Sequence, residues 1–450
     1  MKLRRLSLVT AVALGCLSSA NAADTLAEAF TNGKLSTTLK ATYADQTSEF
    51  AANKPLNNEH IFGIGAELGY VTDPFYGFRI GLTGQTWGSI SPEKNAKTMY
   101  KTEWYANGAV LSELFLGYGV GKTDIKFGRQ YVSSPLVAGN PTRAYKEAFE
   151  GLSITNKDIP DTTLFAGWYY KFQGRSKTAM QGSANSDVGA PVFKDRVIVS
   201  GMSGPYALKF DNIFTGAIIN QSIPGLKLTG AYARGTDIKR SVDVKGDVDT
   251  FLVEGNYRLP VSNFKLGFDA MYKGSRVDNA LGTYDGDMLG FRAGIYDFYG
   301  FGFSYAFTTV SDDDGLVFGF GNGPASYTML PIRGPYVFTG YAGMNTHKLT
   351  LDYDFSSIGI NGLKTSLQYV KGEQDTPSAQ AGSTAAGTHM DVEGWSIVAN
   401  YAVQQVKGLN VAITYTELDR ENYNASNVRT DTDNDELWVK LSYKFDLLGK

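Results

Sequence analysis

The stretch NFKLGFDAMYKGS, residues 263–275, decides the fold. Successive side chains of an extended chain point to opposite faces. Phe264, Leu266, Phe268, Ala270 and Tyr272 therefore share one face, and Lys265, Gly267, Asp269, Met271 and Lys273 share the other. The same period of two runs through KLSTTLKATYA (34–44), HIFGIGAELGYV (60–71), TLFAGWYYKFQ (163–173), KLTLDYDF (348–355) and LWVKLSYKF (437–445). Such segments recur about 18 times at about ten residues each, the length a tilted strand needs to cross a bilayer.

The connections fall into two kinds. One set is short and built from turn formers: TDPFYG, NKDIPD, QSIPG, LPVSN, IGING and QVKG. The other is long and polar, at 174–194, 275–287, 311–335, 372–392 and 419–434. A soluble sandwich buries its apolar faces against each other and has no reason to keep its two ends so different. An apolar face that meets lipid explains both features, with the charged face enclosing water. Lipid tolerates no unpaired sheet edge, so the sheet must close. The expected fold is all-β: one transmembrane antiparallel up-and-down β-barrel over residues 34–450.

The ends agree. Lys2, Arg4 and Arg5 precede an apolar run over 6–17 and an Ala-x-Ala site at Ala20–Ala22, which predicts a signal peptide of residues 1–22. Residues 23–33 then form a short periplasmic segment. The single cysteine, Cys16, lies in the peptide, so neither a disulfide framework nor a structural cysteine–zinc site is expected. The chain has 51 Gly, 27 Tyr and 26 Phe, and its net charge of −3 gives no basic excess for nucleic-acid binding.

Residues 126–175 read KFGRQYVSSPLVAGNPTRAYKEAFEGLSITNKDIPDTTLFAGWYYKFQGR. Through Gly128-Arg129-Gln130, Pro135, Arg143, Phe149-Glu150-Gly151 and the NKDIPDTTL turn, this stretch resembles the OprD family of substrate-specific outer-membrane porins. The segment ADTLAEAFTNGK (23–34) is similar to the campylobacterial branch of such porins. The resemblance implies an 18-stranded barrel whose third long loop, here 133–148, folds inward and narrows the lumen. Arg143, Lys146 and Glu147 are its charged members. It also implies a basic track on the wall that passes carboxylate-bearing or amino-acid-like solutes.

Alternation places Lys40, Arg79, Lys126, Lys171, Arg175, Lys227, Arg258, Lys265, Lys273, Arg292, Lys348, Lys364, Lys440 and Lys444 on the lumen face. Glu67, Glu113, Asp124, Glu254, Asp269, Asp352 and Asp354 oppose them there. A basic excess in a narrow pore favours anions, whereas charges that simply pair across strands would only keep the interior wet. The acidic surplus falls in segments read as solvated loops, SDDDG and DTDNDE. Arg129 and Glu150, flanking the inward loop, are awkward. Alternation after Phe127 points Arg129 at lipid, where a mid-bilayer arginine costs about 2–4 kcal/mol. Either a bulge at Gly128 turns both residues into the pore, or Arg129 already lies at headgroup level.

His60, His347 and His389 fall at strand ends and in a loop with no catalytic motif around them, and no metal or cofactor site is indicated. The expected function is passive diffusion of small hydrophilic, preferentially anionic solutes across the outer membrane of a Gram-negative cell. The competing reading is a structural or adhesin-type barrel acting through its extracellular loops. Expected partners are outer-membrane lipid, lipopolysaccharide and the solutes. An apolar outer face suits lipid and a neighbouring subunit alike, which leaves monomer and homotrimer both open.

Overall fold

The computed structural model describes residues 23–50, 57–182, 188–333 and 335–447. The expected signal peptide, 1–22, lies outside them. Eighteen antiparallel strands of eight residues or more make the wall among the described residues. They are β1 Lys34–Phe50, β2 Asn57–Val71, β3 Phe78–Ser89, β4 Asn107–Val120, β5 Thr123–Gln130, β6 Ala148–Asn156, β7 Thr162–Gln173, β8 Asn212–Asn220 and β9 Leu226–Lys239. The second half comprises β10 Lys245–Val261, β11 Phe264–Val277, β12 Asp287–Phe298, β13 Phe301–Val310, β14 Met344–Asp354, β15 Leu363–Gln374, β16 His389–Ala402, β17 Leu409–Tyr423 and β18 Arg429–Asp446. Each pairs with its neighbours in sequence, and β18 returns to β1 from Ser36–Asp446 to Ser48–Asn434. The sheet therefore has no free edge.

The opening stretch lies on β11 with its apolar face turned out. Phe268 is 50% exposed while its neighbour Asp269 is 4% exposed. The same inversion holds around the wall, where Leu39, Ile64, Leu116, Leu228, Phe303, Leu351, Ile397 and Leu441 are all exposed. Ring pairs band the short-turn end, among them Phe78–Tyr118, Phe301–Tyr353 and Tyr443–Phe445. Phe251–Tyr272 and Trp395–Tyr415 stand nearer the other end. Two such bands mark the borders of a lipid-facing belt.

Three loop expectations change. Residues 419–434 are not a long loop: β17 and β18 pair through Asp419–Asp433 and Glu421–Asp431, leaving only 424–428 to turn. The acids of DTDNDE are thus strand residues, with alternate ones facing outward above the lipid belt. Conversely, residues 311–343 and 174–211 are longer than expected, because the chain there folds into the barrel. Val132, Leu136, Val137, Phe149, Phe172, Ile198, Val199, Phe318 and Phe320 bury one another inside the wall.

Candidate pore constriction

The loop between β5 and β6, residues 131–147, turns into the lumen and is fixed there through its backbone. Val137 pairs with Phe320 of the 311–343 loop, with Ala138 N donating to Phe320 O at 3.0 Å and Phe320 N to Leu136 O at 2.8 Å. Glu147 reinforces the junction. Its carboxylate accepts from Asn140 N at 2.9 Å, Asn322 N at 3.0 Å and Asn322 Nδ2 at 2.5 Å, and it meets Arg175 Nε at 3.3 Å.

The wall holds the same loop by a polar relay. Gln85 and Gln173 both donate to Lys146 O, at 3.0 and 2.9 Å, and Ser112 lies hydrogen-bonded between them. Ser112 can do this because β4 carries one extra residue opposite Thr83–Gly84, a bulge that turns both Ser112 and Glu113 inward. Lys146 Nζ reaches Glu67 on β2 at 2.8 Å.

Arg143 is enclosed. Its guanidinium sits 4.6 Å from the Trp104 ring and 4.5 Å from the Trp438 ring, and Nε donates to Glu103 at 3.1 Å. Its side chain is only 4% exposed. It fastens the loop to the β18 wall. Glu103, from the connection between β3 and β4, also meets Arg175 at 3.2 Å and Arg333 at 3.9 Å. Burial pushes the Glu103 carboxyl up, but the guanidiniums of Arg143, Arg333 and Arg175 outweigh it and hold it below the usual carboxylate range.

The 311–343 loop forms the rest of the ring. Lys273 on β11 donates to Ala325 O at 2.9 Å, Lys348 on β14 to Met329 O at 2.6 Å and Thr416 on β17 to Pro331 O at 3.0 Å. Arg333 then reaches Gln46 on β1 at 2.8 Å, and its backbone N donates to Glu436 on β18 at 2.8 Å. The loop thus tracks the inner wall from β11 round to β1 and meets the 131–147 loop at Phe320. Sequence reading placed only one loop in the lumen. The second opens on SDDDG, which reads as a solvated loop, and the wall lysines hold it through its backbone carbonyls. A cavity of about 350 Å³ opens above the ring, lined by Glu103, Arg175, Asn322, Arg333 and Tyr341.

Among the expected track residues, Lys126, Arg79, Arg258, Lys265, Lys273 and Arg292 lie on inward faces. Arg79 is bound to Asp124, and Arg258 and Arg292 grip Asp269 at 2.6 and 2.7 Å. Lys265 pairs with Asp297 at 3.1 Å. Arg175 belongs to the ring rather than the wall.

Lys171 requires correction. The β6–β7 ladder skips Tyr170, so Lys171 stands opposite Glu150 at 3.3 Å on the outer face. Glu150 in turn opposes Arg129 at 3.0 Å, and Arg129 opposes the exposed Leu114. Directly opposed residues share a face, so all three charges point away from the pore. Gly128 has a φ of +122°, yet it does not reset the alternation. Its inward side meets Gly151, where a Cβ on either would strike backbone at 2.3 or 2.0 Å. The Phe193 ring covers Arg129 from outside at 4.6 Å. Inward-facing Glu59 and Glu436, both buried, were not anticipated and reduce the basic excess further.

A family model described as outer membrane porin, OprD family, matches residues 116–217 and 249–447. Among solved structures the chain is similar to Pseudomonas aeruginosa OccK9 (OpdG), with a TM-score of 0.74 at 17% identity over 93% of this chain and 100% of that one. It is also similar to Acinetobacter baumannii OccAB2, with a TM-score of 0.73 at 16% identity over 93% and 99%. Pseudomonas aeruginosa OccK8 (OprE) gives 0.70 at 17% over 93% and 99%. At these identities the likeness shows the fold. No curated protein sequence matches the chain.

Proposed function

Since the chain belongs to the OprD family of outer-membrane porins, we propose that it passes small hydrophilic solutes by passive diffusion, favours anionic or carboxylate-bearing ones, and carries out no catalysis. The loops 131–147 and 311–343 set its width. The observation that carries the anion preference is at the short-turn end of the lumen. Lys126, Lys227 and Lys444 face inward there with no carboxylate within salt-bridge reach among the described residues. Asp124, Asp269 and Asp354 are neutralised by Arg79, by Arg258 with Arg292, and by Lys364. Asp352 and Asp446 share this end of the inner face without an ion pair among the described residues. A lysine surplus inside a low-dielectric wall concentrates anions.

Reversal potentials in planar bilayers under a salt gradient test this reading. The expected sign is that of anion permeation. Faster cation permeation would overturn it, and a barrel working only through its extracellular loops would give no current steps at all.

The outward triad of Arg129, Glu150 and Lys171 supports a homotrimer that buries the β5–β7 face, since hydrocarbon is a poor environment for these charges. The charged outer rim above Tyr272 and Trp395 suits lipopolysaccharide headgroups. Cross-linking in native membranes separates trimer from monomer.

A further inference from the structure

The helix Leu26–Thr31 lies outside the transport reading. Six residues are too few for a helix to persist alone in water, yet this one is capped and tied down. Thr25 Oγ1 accepts from Glu28 N at 3.2 Å, and the Glu28 carboxylate accepts from Asp24 N and Thr25 N at 2.9 and 3.1 Å. Ala23 N donates to Pro74 O at 3.0 Å and Asp73 N to Ala29 O at 2.9 Å, which fixes the helix against the β2–β3 turn.

The Tyr70 contact shows on which side of the wall the helix sits. Tyr70 shares its β2 face with Phe62, Ile64 and Leu68, all exposed toward lipid, and its hydroxyl donates to Phe30 O. The helix therefore stands at the outer foot of the barrel and does not lie across the pore mouth. Leu26 and Phe30, one turn apart and so on one face, are 59% and 47% exposed. Glu28 and Thr31 point the other way. Beside the helix, Tyr76 is 80% exposed at the tip of the turn and Phe78 begins the apolar belt of β3.

We propose that this helix is an interfacial membrane anchor whose Leu26 and Phe30 side chains insert among the acyl chains of the inner leaflet, extending the lipid-facing belt below the wall. The continuity of these two residues with Tyr76 and Phe78 argues for lipid over a soluble partner. Short amphipathic helices bind at this depth through such apolar edges.

Spin labels at Leu26→Cys, Phe30→Cys and Thr31→Cys test the proposal, in a Cys16→Ser background that leaves no other cysteine. The full barrel is reconstituted into pure phospholipid vesicles, and its heat-modifiable gel mobility confirms folding. The expected result is that the labels at 26 and 30 collide mainly with dissolved oxygen, and the label at 31 mainly with a polar nickel chelate. Chelate access at 26 and 30 like that at 31 would overturn the proposal, leaving a soluble partner as occupant. Low contact with both reagents would overturn it equally, since protein would then cover the helix.

Discussion

The Glu147 carboxylate accepts a hydrogen bond from the backbone N of Asn322 at 3.0 Å, joining two loops that lie far apart in the sequence. Because Glu147 is also bound to Arg175 and buried, this junction sets how firmly the lumen is narrowed.

Replacing Glu147 by Ala removes the side-chain half of the junction, leaving the backbone pairing at Phe320, and takes one carboxylate from Arg175, which keeps Glu103. Removing one member of a buried ion pair typically costs about 3–5 kcal/mol. The expected outcome is a ring that loosens at Asn322 without unfolding the wall. Single-channel conductance rises, larger solutes permeate in liposome swelling, and the folded-barrel band on unheated gels persists.

Arg143→Ala should leave charge selectivity unchanged, because the guanidinium is shut between Trp104 and Trp438 and never meets the solute. Glu103 keeps Arg175 and Arg333. Current noise in the open state is the quantity expected to grow, as the loop loses its clamp. A reversal potential that moves toward cations would contradict this placement.

The selectivity charge is expected at Lys126, Lys227 and Lys444. Changing all three to Ala should reduce the anion-to-cation permeability ratio. The difference from the unaltered channel should shrink in concentrated salt, where the screening length falls to about 3 Å at 1 M.

The Glu103 carboxyl gives a pH dependence of fixed sign. Its folded pKa is depressed by three guanidiniums. Its contribution is therefore present above the ordinary glutamate value of about 4.3 and is lost only as pH falls through the lower folded value. Conductance recorded against pH should step upward as pH falls below the usual carboxylate range. Glu103→Gln should show the acid-form conductance already at neutral pH.

Much of the barrel was legible because the period of two is a geometric property of a strand, and the residues around Phe268 and Asp269 expose it directly. The turn ends were equally clear, since Pro and Gly punctuate them. Placement of individual charges was less legible wherever a bulge intervenes. Lys171 reads as inward by strict counting, and one skipped residue, Tyr170, carries it to the other face. Arg129 shows the converse: strict counting was right, and the glycine beside it serves close packing rather than a change of phase. The role of residues 311–343 was hidden for a different reason. That loop is held largely by its carbonyl oxygens, which every residue possesses and no motif announces.

The pairing of β1 with β18 also bears on how the molecule is made. The first strand to leave the ribosome finds one of its two neighbours only in the last, so the ladder that completes the wall awaits the entire polypeptide. Any product cut short before Arg429 would carry two unsatisfied borders into hydrocarbon, a state that lipid rejects. Completion of synthesis is thereby coupled to insertion, and a truncated chain should be left to proteolysis instead of forming a leaky hole.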